Sequence, residues 1–166
     1  MPVSTVRELQ TLCLRHRPVL TLAAAESLTG GRVQAAITAV SGASGYFLGG
    51  ITAYTLDEKV RLLGVKRAAA TRVDGVSAEV AAQMASGAAT LFGADLAVAT
   101  TGYAEPAAER GVDAPFAHWA IAHRVTARRR RLLAGRIVCH GLKRTEVQAV
   151  VAEAVLAELV VYLRSA

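Results

Sequence analysis

Cysteine is scarce in this 166-residue chain. Its two cysteines, Cys13 and Cys139, lie far apart with no Cys-x-x-Cys or Cys/His ligand spacing, which argues against a zinc site and against a disulfide framework. Both read as small buried hydrophobes, and no metal is expected. Aromatic residues are also few, at 5%, although 53% of the chain is hydrophobic. Alanine and valine carry that excess, so the core should consist of small aliphatic side chains packed closely, which suits helices laid on a parallel sheet. No stretch reaches 18 uninterrupted apolar residues, and the opening Met1-Pro-Val-Ser-Thr-Val-Arg-Glu8 has no positive leader followed by an apolar run. A soluble cytoplasmic protein with no membrane partner is expected. Neither a G-x-x-x-x-G-K-[ST] phosphate loop nor a G-x-G-x-x-G fingerprint occurs, so no nucleoside triphosphate or dinucleotide is implied and no cofactor is expected.

What is present fits a single domain over residues 1–166, without internal repeat, linker or low-complexity segment. A chain of this length buries roughly two thirds of its unfolded surface. The formal charge of +6 and a pI near 9.9 favour anionic partners, from nucleic acid to a small phosphorylated metabolite. Much of the positive charge is local, in Arg128, Arg129, Arg130 and Arg131 with Arg124 and Arg136 nearby. No aromatics interleave with that run to stack bases, so a solvated turn or a charge-blunted strand edge is the simpler reading, and a nucleic-acid partner is disfavoured.

The periodicity predicts a first helix over Ser4–Arg17, with Ser4 as its cap and Glu8 in the first turns. A buried strand over Val19–Ala25 then runs into the polar glycine turn Glu26-Ser27-Leu28-Thr29-Gly30-Gly31 and a helix through Val33, Ile37 and Val40. Beyond strand ends of this kind, backbone N–H groups at a helix start can face an anion; a plain capped turn is the alternative. A second strand is expected over Gly49–Thr55, a short helix over Leu56–Leu63 closed by Gly64, and a stronger helix from Ser77 to Gly93. A buried strand over Asp95–Thr100 delivers Thr101-Gly102 to a further strand-end loop. After the long polar loop Tyr103–Pro115 come a hairpin of strands, His118–Val125 and Arg131–His140, and a closing helix over Thr145–Arg164.

Ser44 and Lys59 flank the second strand, fifteen positions apart. A serine hydroxyl becomes a nucleophile only when something takes its proton, and a lysine does so only if burial keeps its amine neutral near pH 7. Such a pair would suit metal-free amide or ester hydrolysis, but the spacing alone has low specificity.

Several strings in collinear order resemble one family: Ala25-Glu-Ser-Leu-Thr-Gly-Gly31, Gly49-Gly-Ile-Thr-Ala-Tyr54 with Lys59 and Leu62-Leu-Gly-Val65, Val76-Ser77 with Glu79-Val-Ala81, and Gly93-Ala-Asp95 through Thr101-Gly102. The family is the CinA carboxy-terminal domain, the nicotinamide-mononucleotide deamidases. The resemblance implies an α/β fold, a three-layer α/β/α sandwich with a mixed, mostly parallel sheet. It also implies hydrolysis of nicotinamide mononucleotide to nicotinate mononucleotide and ammonia in NAD salvage. Carried over, it puts the serine nucleophile on Ser44, its lysine base on Lys59 and a supporting tyrosine on Tyr54. Ser27, Thr29, Gly30, Thr101 and Arg144 fall to substrate binding, Arg144 as a forked donor to the phosphate. The partner implied is a small phosphorylated nucleotide, and a homo-oligomer is expected.

The chain departs from the family pattern after Thr101-Gly102. Where the family has Ile-Ala-Gly-Pro followed by glycines, this chain reads Tyr103-Ala-Glu-Pro-Ala-Ala-Glu109. Glu105 adds bulk and a negative charge that repels phosphate. Three readings stay open: a working deamidase, a CinA-like paralogue with another substrate or no catalysis, and a basic nucleic-acid-binding module.

Overall fold

The computed structural model describes residues 3–126 and 129–165; of the arginine run, Arg128 lies outside the described residues. The elements in order are α1 (Val3–Arg15), β1 (Leu22–Glu26), α2 (Arg32–Thr38), β2 (Phe47–Thr52), α3 (Leu56–Leu63), α4 (Arg67–Thr71), α5 (Ala78–Phe92), β3 (Leu96–Tyr103), β4 (Phe116–Thr126), β5 (Arg129–Val138) and α6 (Arg144–Arg164). The five strands form one sheet in the order β2-β1-β3-β4-β5. Strand β1 is parallel to both β2 and β3, while β4 runs antiparallel to β3 and to β5. Four of the five strands therefore point one way, and their carboxyl ends share an edge.

Helices cover both faces, giving the expected three layers. On one face Leu22, Ala24, Leu96, Val98 and Ile121 pack under Leu9 of α1, Ile37 of α2 and Leu156 and Leu159 of α6. The other face presents almost nothing but alanine: Ala23, Ala25, Ala97, Ala99, Ala120 and Ala122, beneath Met84, Ala85 and Ala88 of α5. The small side chains let α5 sit close on the sheet. Its Gly87 is in turn approached so closely by the Leu63 backbone that a Cβ there would collide with it. Both cysteines are buried and unpaired, as their spacing suggested.

Local signals explain most boundaries. Thr55 caps α3 by accepting from the Glu58 N–H at 3.3 Å, and Ser77 caps α5 by accepting from the Val80 N–H at 3.1 Å. Gly64 and Gly93 end those helices in the left-handed conformation. Two expectations change. Helix α1 begins at Val3, so Ser4 lies inside it rather than capping it, while Glu8 accepts from Arg164 at 2.6 Å. The segment 67–71, unassigned from the sequence, is one short turn of helix that buries Ala70. Among the described residues, no helix is long and apolar enough to cross a membrane.

Candidate active site

The carboxyl ends of β1, β2 and β3 open onto a cleft of about 410 Å3 lined by Ser27, Tyr54, Lys59, Asp74, Glu105 and Arg144, among others. At its centre is Lys59, on the first turn of α3 and 3% exposed. Its Nζ donates to Thr101 Oγ1 at 3.1 Å and to the Gly75 carbonyl at 3.2 Å. The Thr101 hydroxyl gives its own proton to the same carbonyl at 2.7 Å, so a lone pair of its oxygen faces the lysine. Burial lowers the Lys59 pKa from 10.5 to about 8, and the negative charge of Asp74 offsets only part of that drop. Near neutrality a measurable share of this amine is unprotonated.

Each neighbour is placed by a strand end. Ser27 follows β1 and is 5% exposed; its N–H donates to the Thr100 carbonyl at 3.0 Å, which holds it beside the end of β3. Tyr54 and Thr55 connect β2 to α3. Arg144, the first residue of α6, donates to the Tyr54 hydroxyl at 2.6 Å and to Glu105 at 2.6 Å. The Glu105 hydrogen bond raises the Arg144 pKa further. Glu105 thus reaches into the cleft and occupies the guanidinium that the resemblance assigned to a phosphate. Asp74, in the left-handed region at φ 51°, accepts from the Tyr103 hydroxyl at 3.0 Å and pairs with Arg110 at 2.7 Å. These contacts fix the loop 103–115 against the 74–76 turn.

Of the residues singled out from the sequence, Ser27, Tyr54, Lys59, Thr101 and Arg144 meet in or beside this cleft. Ser44 does not. It is exposed on a short turn (Ala43–Gly45) ahead of β2, where Phe47 stands beside Leu22 at the amino end of the parallel strands. The flanking Gly42 and Gly45 face Gln10 and Leu14 of α1. Lys59 follows the carboxyl end of the same strand. Six extended residues at about 3.3 Å each keep the two ends roughly 17 Å apart or more, so Ser44 and Lys59 form no dyad within one chain.

Thr29 and Gly30 also stand away from the cleft wall. Thr29 is fully buried, its hydroxyl bonded to that of Thr100 at 2.7 Å. Gly30 and Gly31 adopt φ of 60° and 96° to complete the turn. The N–H groups at the start of α2, read as a place for an external anion, are already filled from within. The carboxylate of Glu26, 0% exposed, accepts from Gly31 N–H at 2.9 Å, Val33 N–H at 3.1 Å and Gln34 N–H at 3.0 Å.

Sequence reasoning overlooked Glu26, Asp74 and Gly75 as parts of the site. The Asp74-Gly75 dipeptide is a turn signal that could have marked the last two. The arginines of the hairpin are largely tied to the fold. Arg124 pairs with Asp95, Arg130 donates to the Ser86 carbonyl at 2.6 Å and to Thr90 at 3.0 Å, and Arg136 lies over the Phe116 ring at 4.2 Å. A larger groove, about 610 Å3, opens between α3, α5 and β5, but its lining is mostly apolar and includes no buried titratable side chain.

Residues 5–163 match the family model of the CinA C-terminal domain. The chain is similar to a CinA-like protein of Geobacter metallireducens, 49% identical over 87 residues that make up 52% of this chain and 21% of that one. A competence-damage inducible protein of Bacillus subtilis is 42% identical over 108 residues, 65% of this chain and 26% of the relative. The chain thus spans about a fifth to a quarter of the length of these relatives. Solved structures match it nearly end to end. The competence damage-inducible protein A of Klebsiella pneumoniae superposes with a TM-score of 0.87 at 27% identity, covering 98% of this chain and 96% of that one. A competence/damage inducible protein of Agrobacterium tumefaciens gives 0.83 at 29%, covering 99% and 98%.

Proposed function

The chain belongs to the CinA C-terminal domain family, and from that premise we propose that it is an amidohydrolase that converts nicotinamide mononucleotide and water to nicotinate mononucleotide and ammonia. The observation that carries this reading is the buried amine of Lys59, its pKa lowered by burial to about 8, in a cleft that also holds a serine. In the neutral form its two N–H bonds go to Thr101 Oγ1 and the Gly75 carbonyl. The nitrogen lone pair is then left to take a proton from a serine hydroxyl as that oxygen attacks the carboxamide carbon. The same amine returns the proton to the departing ammonia, and in the second half of the cycle activates the water that hydrolyses the ester. Tyr54 and Arg144 stand at the rim to orient the nucleotide.

The test is ammonia release from nicotinamide mononucleotide by the purified protein as a function of pH. Activity needs the unprotonated amine, so the rate should climb as pH rises through about 8 and level off above it, and it should vanish in Lys59→Ala. No ammonia from the wild type, or an unchanged rate in Lys59→Ala, rejects the reading.

Glu105 favours a second reading. Its carboxylate already holds the guanidinium that a substrate phosphate would need, which suits an amide that carries no phosphate. Faster hydrolysis of nicotinamide riboside than of its phosphate would select this version.

A further inference from the structure

A second depression adjoins the cleft of Lys59, on the far side of the contact between Asp74 and Tyr103. It encloses about 530 Å3 and is lined by Arg72, Asp74, Tyr103, Arg110, Phe116 and Arg136, among others. Asp74, Val76 and Tyr103 line both spaces, so their contact is a ridge shared by the two. We propose that this depression is a binding site for a phosphate group, separate from the cleft of Lys59 and coupled to it through Asp74. The binding stands apart from the amidohydrolase reading above; only its consequence for hydrolysis rests on that reading.

The three arginines arrive from three segments. Arg72 follows α4, Arg110 ends the single turn Ala108–Arg110, and Arg136 stands on β5 opposite His118 of β4. The loop that carries Arg110 is closed on itself, since Ala107 and Val112 exchange N–H bonds at 2.9 and 3.0 Å. Arg136 lies over the Phe116 ring at 4.2 Å, and a guanidinium stacked by its face keeps its in-plane N–H donors for another partner. Burial and the charge of Arg136 both lower the His118 pKa, so that charge is not neutralised where it stands. Among the described residues neither Arg72 nor Arg136 has an acidic partner; Arg110 alone is paired, with Asp74 at 2.7 Å. The other carboxylate in the lining, Glu109, is exposed and unpaired. Three guanidiniums against two carboxylates leave the depression positive. A phosphate monoester brings nearly two negative charges and three acceptor oxygens, which suit forked guanidinium donors.

The coupling follows from the position of Asp74. The carbonyl of the next residue, Gly75, accepts from both the Lys59 amine and the Thr101 hydroxyl. Asp74 is the charged group that acts on Lys59, while Glu105 and Arg144, the cleft's other charges, are paired with each other. Arg110 offsets Asp74 from the side of the depression. A phosphate that draws Arg110 to itself leaves Asp74 less compensated and adds negative charge of its own. Both changes favour the protonated amine. Bound phosphate therefore holds Lys59 as ammonium at a pH where the free protein presents the amine, and slows any reaction that needs it as a base.

Two measurements on the full chain test this, and neither involves hydrolysis. The first is calorimetric titration at pH 8 and constant ionic strength with inorganic phosphate and with adenosine monophosphate. Arg72→Gln and Arg136→Gln should each weaken binding about tenfold, and Arg144→Gln should leave it unchanged. Tighter binding of adenosine monophosphate identifies an ester as the ligand and equal affinities identify free phosphate; both uphold the site. Absence of binding overturns the proposal. So does binding that is lost in Arg144→Gln and kept in Arg72→Gln and Arg136→Gln, which would put the phosphate in the cleft of Lys59. The second measurement uses the small number of lysines, Lys59, Lys66 and Lys143. Carbon-13 at lysine Cε gives three signals, and Lys59→Met assigns the one of interest. The Lys59 titration midpoint should move up when the wild type is saturated with phosphate, and stay in place at the same concentration when Arg72→Gln and Arg136→Gln are combined. A midpoint that stays in place in phosphate-bound wild type overturns the coupling. A protein that binds phosphate yet leaves nicotinamide mononucleotide intact refutes the amidohydrolase reading alone and upholds this site.

Discussion

Replacing Lys59 with methionine should make the protein more stable while abolishing its chemistry, and the size of the gain follows from the burial of the amine. The unfolded chain holds the Lys59 proton up to pH 10.5, the folded chain only up to about 8. At about 1.4 kcal/mol per tenfold change in proton affinity, the gap corresponds to ~3 kcal/mol of unfavourable burial below pH 8. Methionine has a similar length and no charge to desolvate. It forfeits two hydrogen bonds, to Thr101 and to the Gly75 carbonyl, worth about 1 kcal/mol each. Thr101 keeps its own bond to that carbonyl. The net expectation at pH 7 is stabilisation by ~1 kcal/mol or somewhat more. The pH dependence is the sharper signature. Between about 8 and 10.5 the unfolded chain binds a proton that the folded chain does not, so wild-type stability rises with pH across that window relative to the variant. Urea unfolding of both proteins at pH 7 and pH 10 measures this directly. The advantage of Lys59→Met should shrink or reverse at the higher pH. A difference that stays constant from pH 7 to 10 would mean that the amine titrates as a solvated lysine, and the case for a general base would fall with it.

Two further substitutions probe the surroundings. Glu26→Gln preserves size but replaces a carboxylate that accepts three N–H groups with an amide that can accept on one oxygen only. A loss of ~2–3 kcal/mol in thermal or urea unfolding is expected for a buried group of this kind; a change below about 0.5 kcal/mol, the range of surface substitutions, would show that the turn is held by other means. Glu105→Ala frees Arg144 on a half-exposed ion pair, so stability should change by less than about 1 kcal/mol. The KM for nicotinamide mononucleotide should fall while kcat changes little. An unaltered or higher KM would show that Arg144 does not meet the phosphate.

The layers, the start of α5 at Ser77, the glycine stops at Gly64 and Gly93 and the placement of Lys59 just beyond a strand end were legible in the sequence, because each rests on a local signal, whereas Thr55, read as the last strand residue, is the cap of α3. The serine that shares the cleft with Lys59 was not legible. Ser44 and Ser27 sit in similar polar glycine-containing stretches, but Ser27 follows β1 and Ser44 precedes β2, so the parallel direction of the two strands sends them to opposite edges of the sheet. Strand direction is a long-range property that no spacing along the chain encodes. Glu26 was hidden for a related reason. A carboxylate at the end of a buried run reads as a surface residue until the fold curls three N–H donors around it. Glu105 was recognised as a change in charge, but its pairing with Arg144 required α6 to return beside the 103–115 loop, 39 positions later in the chain.

The carboxylate of Glu26 has a consequence for how this scaffold can diversify. Because the main-chain donors at the first turn are permanently engaged, affinity for a substrate's charge cannot be written into the backbone there and must reside in side chains at the rim. Side chains change one at a time without disturbing the architecture beneath them. Positions 105 and 144 are therefore where a preference of charge in this cleft can change without rebuilding the turn beneath them.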